Sequence, residues 1–269
     1  MSARLDAALA ARGLARSRTQ AAQWIEAGLV SVDGVSVVKP SARVAEDARL
    51  EVAASDHYVS RAAHKLLAAL DAFAIDVTGR DAVDLGASTG GFTQVLRERG
   101  AARVVAIDVG HDQMAAEVAA DAGVINLEGV NARYLTSADV AARIGGPLTP
   151  GIICGDLSFI SLAHVLPAVS DLAGAQTDVV LLVKPQFEVG RGGVREGLVT
   201  NRDARADAVS DVLWKAWDLG LGSYGVIASP VVGTHGNREY LVWLRATGAD
   251  DAGNPTQWWD TIVRVTGER

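Results

Sequence analysis

One cysteine, Cys154, stands in 269 residues, so neither an internal disulfide nor a cysteine-rich metal site can form. That scarcity fits a reducing compartment, and the expected location is the cytoplasm, with no metal. Long apolar runs are equally scarce. Charges, glycines or prolines break every stretch short of the roughly 20 residues a bilayer-spanning helix needs, so no membrane partner is expected. The amino end, Met1-Ser-Ala-Arg-Leu-Asp6, lacks the basic stretch and apolar block of a secretory signal and reads as the start of a folded domain. Low-complexity tracts and internal repeats are missing too. With 49% hydrophobic and 21% charged residues, the chain is globular and long enough for one large core or two domains.

Positive charge is in deficit: 25 Lys and Arg oppose 32 Asp and Glu, a net −7. Taken whole, that balance argues against a nucleic-acid partner, because phosphate binding rests on Lys and Arg. The distribution reverses the argument locally. Residues 1–66 carry nine basic against seven acidic residues, and Arg4, Arg12, Arg16 and Arg18 all precede residue 19. Such a cluster is ordinarily a solvated face, and only the module beneath it can make it an RNA footprint.

That module reads as two helices and a hairpin. Leu5, Ala8, Leu9 and Arg12 form one helical stripe before Gly13, and Ser17-Arg-Thr-Gln20 has capping-box form ahead of a helix that Gly28 would close. Val30, Val32, Val35 and Val37 alternate around Asp33-Gly34, the sequence of a type I′ turn, and Arg49–Val52 would add a strand. Residues 53–60 look like a linker, which predicts domains at 1–58 and 59–269. Beyond the linker, a helix from about Arg61 to Ala72 precedes short apolar strands alternating with helices, the pattern of a parallel sheet. Two last strands, near 223–229 and 239–246, would close it as a hairpin.

The segment Asp84-Leu-Gly-Ala-Ser-Thr-Gly-Gly-Phe92 places an acid at the end of a buried strand and a glycine-rich turn before a helix. It is neither the Gly-x-Gly-x-x-Gly of a diphosphate site nor a P-loop. Its glycines would let a ligand approach the backbone, and its carboxylate suits a cation. S-adenosylmethionine carries both an α-ammonium and a sulfonium. Asp84, Gly86, Ala87, Ser88, Gly90, Gly91 and Phe92 are therefore candidate cofactor residues. Asp108, ending the next strand, is placed to accept hydrogen bonds from ribose hydroxyls, and Asn131 is a candidate near the adenine. Either acid alone could equally cap a helix or a turn.

The acceptor is narrowed by what is missing. After the fourth strand, Asp156-Leu-Ser-Phe159 lacks the Pro-Pro of exocyclic-amine methyltransferases. Cys154, inside an apolar strand, reads as a packed thiol rather than the nucleophile that pyrimidine carbon-five methylation needs. Oxygen is left as the favoured acceptor. Lys184 ends Asp178-Val-Val-Leu-Leu-Val and precedes Pro185, at the carboxyl end of a parallel strand, where ligands of open α/β sheets bind. A lysine there is either exposed at the rim or tuned to act as a base. Lys65, taken by itself, reads as solvated.

Several phrases carry a resemblance to a known family: Ala15-Arg-Ser-Arg18, Ser60-Arg-Ala-Ala-His-Lys65-Leu, Asp84–Phe92, Asp156-Leu-Ser-Phe-Ile-Ser161, Val183-Lys-Pro-Gln-Phe-Glu-Val189 and Gly236-Asn-Arg-Glu-Tyr240. In their order and extent the chain resembles the hemolysin-like TlyA family of ribosomal RNA 2′-O-methyltransferases. The resemblance implies an α/β fold: a Rossmann-like class I methyltransferase domain with a seven-stranded, mostly parallel sheet, preceded by a small α+β RNA-binding domain. It implies S-adenosylmethionine as cofactor and cytidine ribose in the RNA of the small or large ribosomal subunit, or both, as target. It implies a link to capreomycin susceptibility, and a catalytic tetrad of Lys65, Asp156, Lys184 and Glu239. The basic residues of the first domain, Arg4, Arg12, Arg16 and Arg18, would then meet RNA. Two rival readings differ in kind. A small-molecule O-methyltransferase would have no use for the basic module, and a membrane-active hemolysin would need alternating barrel strands or a basic lytic helix, of which the sequence has neither.

Overall fold

A computed structural model describes residues 2–15, 17–26, 28–52, 57–190, 193–233, 236–247 and 253–267. Arg16 and linker residues 53–56 lie outside them. The chain divides into two compact units, Met1–His57 and Tyr58–Arg269.

In the first unit, β1 (Ser2–Arg4), α1 (Leu5–Ala11), α2 (Arg18–Glu26), β2 (Val30–Val32), β3 (Val35–Ser36), β4 (Arg43–Ala45) and β5 (Leu50–Val52) follow in order. Leu5, Ala8 and Leu9 of α1 meet Ala21 and Ile25 of α2 in a small core completed by Val30, Val44 and Leu50. Ser17 Oγ accepts the Gln20 N–H at 3.1 Å, which opens α2. Asp33 and Gly34 both take positive φ, +51° and +81°, so β2 and β3 turn as type I′ with Val32 opposite Val35. β5 pairs with β2. The pairing of β1 with β4, Ala3 opposite Val44, was not expected, because strands of three residues are too short to display an alternation.

The second unit runs α3 (Ala63–Ala72), β6 (Asp81–Leu85), α4 (Gly91–Glu98), β7 (Arg103–Ile107), α5 (Ala116–Ala119), β8 (Val124–Leu127), α6 (Ser137–Ile144), β9 (Ile152–Gly155), α7 (Leu166–Leu172), β10 (Asp178–Val183), α8 (Pro185–Glu188), α9 (Arg202–Asp218), β11 (Leu221–Ala228), β12 (Tyr240–Ala246) and α10 (Trp259–Gly267). Its seven strands lie in the order β11-β12-β10-β9-β6-β7-β8, with β12 antiparallel to both neighbours and the other pairs parallel. The expected sheet and closing hairpin are both present. α10, packed against α9 and β11, had no expectation attached to it.

Both faces of this sheet are covered, which explains why β10 reads as an unbroken apolar run. Val179, Leu181 and Val183 join Leu166 of α7 and Val209 and Leu213 of α9 on one side. Val180 and Leu182 join Leu66 and Leu70 of α3 and Val95 and Leu96 of α4 on the other. Each such side chain contributes roughly 1.5–3 kcal/mol on burial. Cys154 is fully buried in the second core, and burial pushes its thiol pKa up, as befits a packed rather than nucleophilic sulfur. No described helix is long and apolar enough to cross a membrane.

Candidate active site

Strand register assembles the site. Leu85 and Gly155 are partners in the parallel β6–β9 pair, so the residues that follow them, Gly86 and Asp156, emerge side by side at the carboxyl rim. Val183 lies opposite Tyr240 in the antiparallel β10–β12 pair, so Lys184 leaves β10 where Glu239 enters β12. Lys65 reaches the same rim from the first turn of α3. Position 65 shares a helical face with Ala69, four residues on, and that face is packed into the core. The reading of Lys65 as solvated is thereby corrected: it is 6% exposed, because the stripe that buries Leu66 and Ala69 carries its stem inward.

Four charged side chains interlock there. Lys65 Nζ lies 2.7 Å from Glu239 Oε2 and 3.1 Å from Asp156 Oδ2, while Lys184 Nζ lies 2.6 Å from Asp156 Oδ1. Lys184 also donates to Ser158 Oγ at 2.7 Å. Lys184 and Glu239 are 7% and 4% exposed, so two ammoniums and two carboxylates balance almost out of water, as buried charges must. Burial pushes the Asp156 carboxyl up, but the adjacent Lys65 and Lys184 outweigh it and hold Asp156 below the usual carboxylate value. A cavity of about 300 Å³ opens onto the group, lined among others by Arg61, Gly86, Ser88, Phe92 and Ser158.

The glycine-rich turn runs from Gly86 at φ +81° to Gly90 at +93°, where α4 begins. Two of its glycines are also required by packing within the chain. A Cβ on Gly90 would fall 2.9 Å from Val118 Cγ1, and one on Gly91 2.9 Å from Ser60 Cβ, so these two let the chain pack on itself. Gly86, Ala87, Ser88, Gly91 and Phe92 line the cavity, whereas Asp84 lies behind it, fully buried. One Asp84 oxygen accepts the Thr93 hydroxyl at 2.6 Å and the other has no partner among the described residues. Burial first, then the charges of Asp156 and Asp108, push its pKa up to about 7 against the pull of the Thr93 hydrogen bond. A buried carboxylate oxygen without a partner beside such a turn fits a ligand that brings a cation.

Asp108 accepts the backbone N–H groups of Ser88, at 2.9 Å, and Gly110, at 2.7 Å, and so ties the turn to the loop after β7. Asn131 is exposed and caps a short 3-10 helix through the Arg133 N–H. Neither lines the cavity. Two residues that sequence reasoning missed do stand at the rim: Ser158, bound to Lys184, and Phe159, which is 92% exposed at φ +64° and packs at 5.5 Å between ring centroids against Phe187. A serine and a phenylalanine in a loop carry no sequence signal of their own. Left-handed backbone at a bulky residue is the mark that singles out Phe159.

In the first unit, Arg4 and Arg18 both engage the buried Asp6, at 3.0 and 3.2 Å, which holds that carboxyl down to about 2, chiefly through the Arg4 hydrogen bond. Arg12 instead donates to the carbonyls of Ala45, Glu46 and Ala48.

With this geometry in view, comparison with known proteins is specific. The FtsJ-like methyltransferase family matches residues 58–246 and the S4 domain family residues 3–50. A protein from Mycobacterium tuberculosis named 16S/23S rRNA (cytidine-2′-O)-methyltransferase TlyA is 49% identical over 269 residues, covering 99% of this chain and 98% of that one. A Campylobacter jejuni protein named 23S rRNA (cytidine-2′-O)-methyltransferase TlyA is 33% identical over 70% of this chain and 71% of its own. A solved structure from Streptococcus thermophilus, described as a hemolysin, is 34% identical and superposes with a TM-score of 0.76 over 98% of this chain and 94% of its own.

Proposed function

Since this chain belongs to the TlyA family of FtsJ-like methyltransferases, we propose that it methylates the ribose 2′-hydroxyl of cytidine in ribosomal RNA, with S-adenosylmethionine as cofactor. The observation that carries the reading is the interlocked Lys65, Asp156, Lys184 and Glu239 beside a glycine-rich turn at the carboxyl rim of the sheet. Asp84, with a buried oxygen that has no partner among the described residues, is the residue for the cofactor's cationic end, and Gly86, Ala87, Ser88, Gly90, Gly91 and Phe92 shape the turn around it. Asp108 and Asn131 are assigned to the ribose and the adenine.

When bound, S-adenosylmethionine supplies a methyl group on a positively charged sulfur. Lys184 polarises or deprotonates the target hydroxyl, and Lys65, Asp156 and Glu239 hold that lysine in place and balance its charge. Positioning supplies the largest share of the acceleration, on the order of 7–11 kcal/mol for reactants held in attack geometry. Phe159 offers an exposed ring on which a base can stack. The first domain, expected at 1–58, supplies the RNA grip through Arg4, Arg16 and Arg18, with Arg12, also expected to meet RNA, holding the carbonyls of Ala45, Glu46 and Ala48 beneath that face, and the methyltransferase domain occupies 59–269. The substrate is RNA of the small or large ribosomal subunit, or both, with no metal called for, the site of action is the cytoplasm, and the family's link to capreomycin susceptibility extends to this chain.

Transfer of tritium from labelled S-adenosylmethionine to isolated small and large subunits, followed by nucleoside chromatography, tests the reading. Label in 2′-O-methylcytidine is the expected result. Cofactor binding without transfer to either subunit would move the assignment to a small-molecule acceptor.

A further inference from the structure

The two lysines at the rim have unequal company. Lys65 Nζ sits between two carboxylates, Glu239 at 2.7 Å and Asp156 at 3.1 Å. Among the described residues Lys184 Nζ has one, Asp156 at 2.6 Å, and its other close partner there is the neutral hydroxyl of Ser158, at 2.7 Å. A carboxylate at such a distance favours the ammonium over the amine, whereas a hydroxyl accepts a hydrogen bond without adding a negative charge. Around the pair, Arg61 lines the same cavity as a further cation, Asp84 lies buried behind the cofactor turn, and Glu188 of α8 is bound to Ser161 and Leu162. None of these supplies Lys184 with a second carboxylate.

We propose that Ser158 is the positioning residue that aims Lys184 Nζ at the target hydroxyl, through a hydrogen bond that adds no negative charge where Lys65 has Glu239, so that Lys184 rather than Lys65 exchanges a proton with it. The inference rests on the assignment of Lys184 to the 2′-hydroxyl. Lys184 Nζ takes the hydroxyl proton on its lone pair as the oxygen's electron pair forms the bond to the methyl carbon and the carbon–sulfur bond breaks with its pair left on sulfur. The positive charge passes from sulfur to the Lys184 ammonium, which returns its proton to water.

The loop that presents Ser158 is pinned on both sides. The Asp156 N–H donates to the Leu85 carbonyl at 3.2 Å, and Glu188 accepts the Ser161 hydroxyl at 2.6 Å and the Leu162 N–H at 2.9 Å. Ser158 is therefore held at Lys184 by the backbone and does not depend on the ion pairs for its place.

The experiment is single-turnover methylation of ribosomal subunits against pH by the full chain and its Ser158→Ala, Ser158→Thr and Ser158→Asp variants, with S-adenosylmethionine affinity by calorimetry as a check on the folded pocket. Ser158→Ala should slow transfer about 10–100-fold at unchanged cofactor affinity, and Ser158→Thr should restore most of the rate. Ser158→Asp gives Lys184 a second carboxylate, so the acid limb of the rate profile should move alkaline by about one pH unit or more, with the rate recovering at high pH. Transfer by Ser158→Ala within twofold of the unsubstituted chain, or a Ser158→Asp profile that overlays it, overturns the proposal while the assigned reaction stands. An unsubstituted chain that methylates no ribose overturns both.

Discussion

Asp84 and Thr93 share a 2.6 Å hydrogen bond that satisfies one carboxylate oxygen and leaves the other buried without a partner among the described residues. Burial pushes the Asp84 pKa up to about 7, so near neutral pH the group is divided between acid and carboxylate. For folding, a raised native pKa means stability that is full below the ordinary carboxyl range and lost as pH rises toward 7. For binding, the sign is reversed. A cationic ligand prefers the carboxylate, so S-adenosylmethionine affinity should climb by up to about tenfold per pH unit below 7 and level off above it. Calorimetry in two buffers of different ionisation enthalpy should show proton release at pH 6, and Asp84→Asn should flatten the slope. A wild-type affinity that is flat from pH 6 to 8 would remove Asp84 from the cation's site.

Asp156 is the only carboxylate shared by both rim lysines among the described residues. Asp156→Asn strands Lys184 and deprives Lys65 of one partner, which should cost roughly 3 kcal/mol of stability together with all activity. Because the native pKa of Asp156 is depressed, its contribution is complete above the ordinary carboxyl range and disappears only as pH falls through the lower native value. Adding Lys184→Met to Asp156→Asn should return part of the lost stability and none of the methyl transfer. Equal urea midpoints for the single and double variants would show that the charges are not coupled.

Phe159 is held at φ +64° with its ring in solvent, an arrangement that costs on the order of 1–3 kcal/mol. A stacking role accounts for the expense. Phe159→Ala should lower kcat/KM for ribosomal subunits about tenfold or more while leaving S-adenosylmethionine affinity unchanged, and Phe159→Trp should keep most activity. If Phe159→Ala is fully active, the ring has no part in holding a base.

How much of this could be read from the chain varied with the length of the pattern. The Asp33-Gly34 turn and the apolar run of β10 each follow from a local rule, and both stand where the sequence put them. The pairing of β1 with β4 joins residues some forty positions apart through three-residue strands, and no local rule reaches that far. In the site, Asp84 and Lys184 were marked by their strand ends, but Lys65 and Glu239 were legible only through resemblance to a family. Lys65 does carry a period on α3, yet a single lysine on a helix is so often solvated that the stripe alone does not overturn that reading. Ser158 lay inside the quoted phrase Asp156–Ser161 but had no signal of its own, since its significance lies in the hydrogen bond it accepts from Lys184.

The arginines of the first unit divide by what their guanidiniums hold, and that division predicts opposite phenotypes. Arg12 donates to three carbonyls between β4 and β5, at 2.6, 2.7 and 3.2 Å, so it pins a turn of the fold itself. Arg12→Ala should cost about 1–3 kcal/mol locally, read as faster hydrogen exchange over residues 43–50, and any loss of RNA binding should follow from that loosening. Arg18 has a 61% exposed side chain and, among the described residues, a hold on Asp6 that it shares with Arg4. Arg18→Ala should therefore leave exchange unchanged, weaken RNA binding at low salt, and reduce the slope of log affinity against log salt by about 0.9, the signature of one lost phosphate contact. An Arg18→Ala variant with the salt slope intact would make Arg18 a partner of Asp6 alone and shift the RNA grip to other residues of the module.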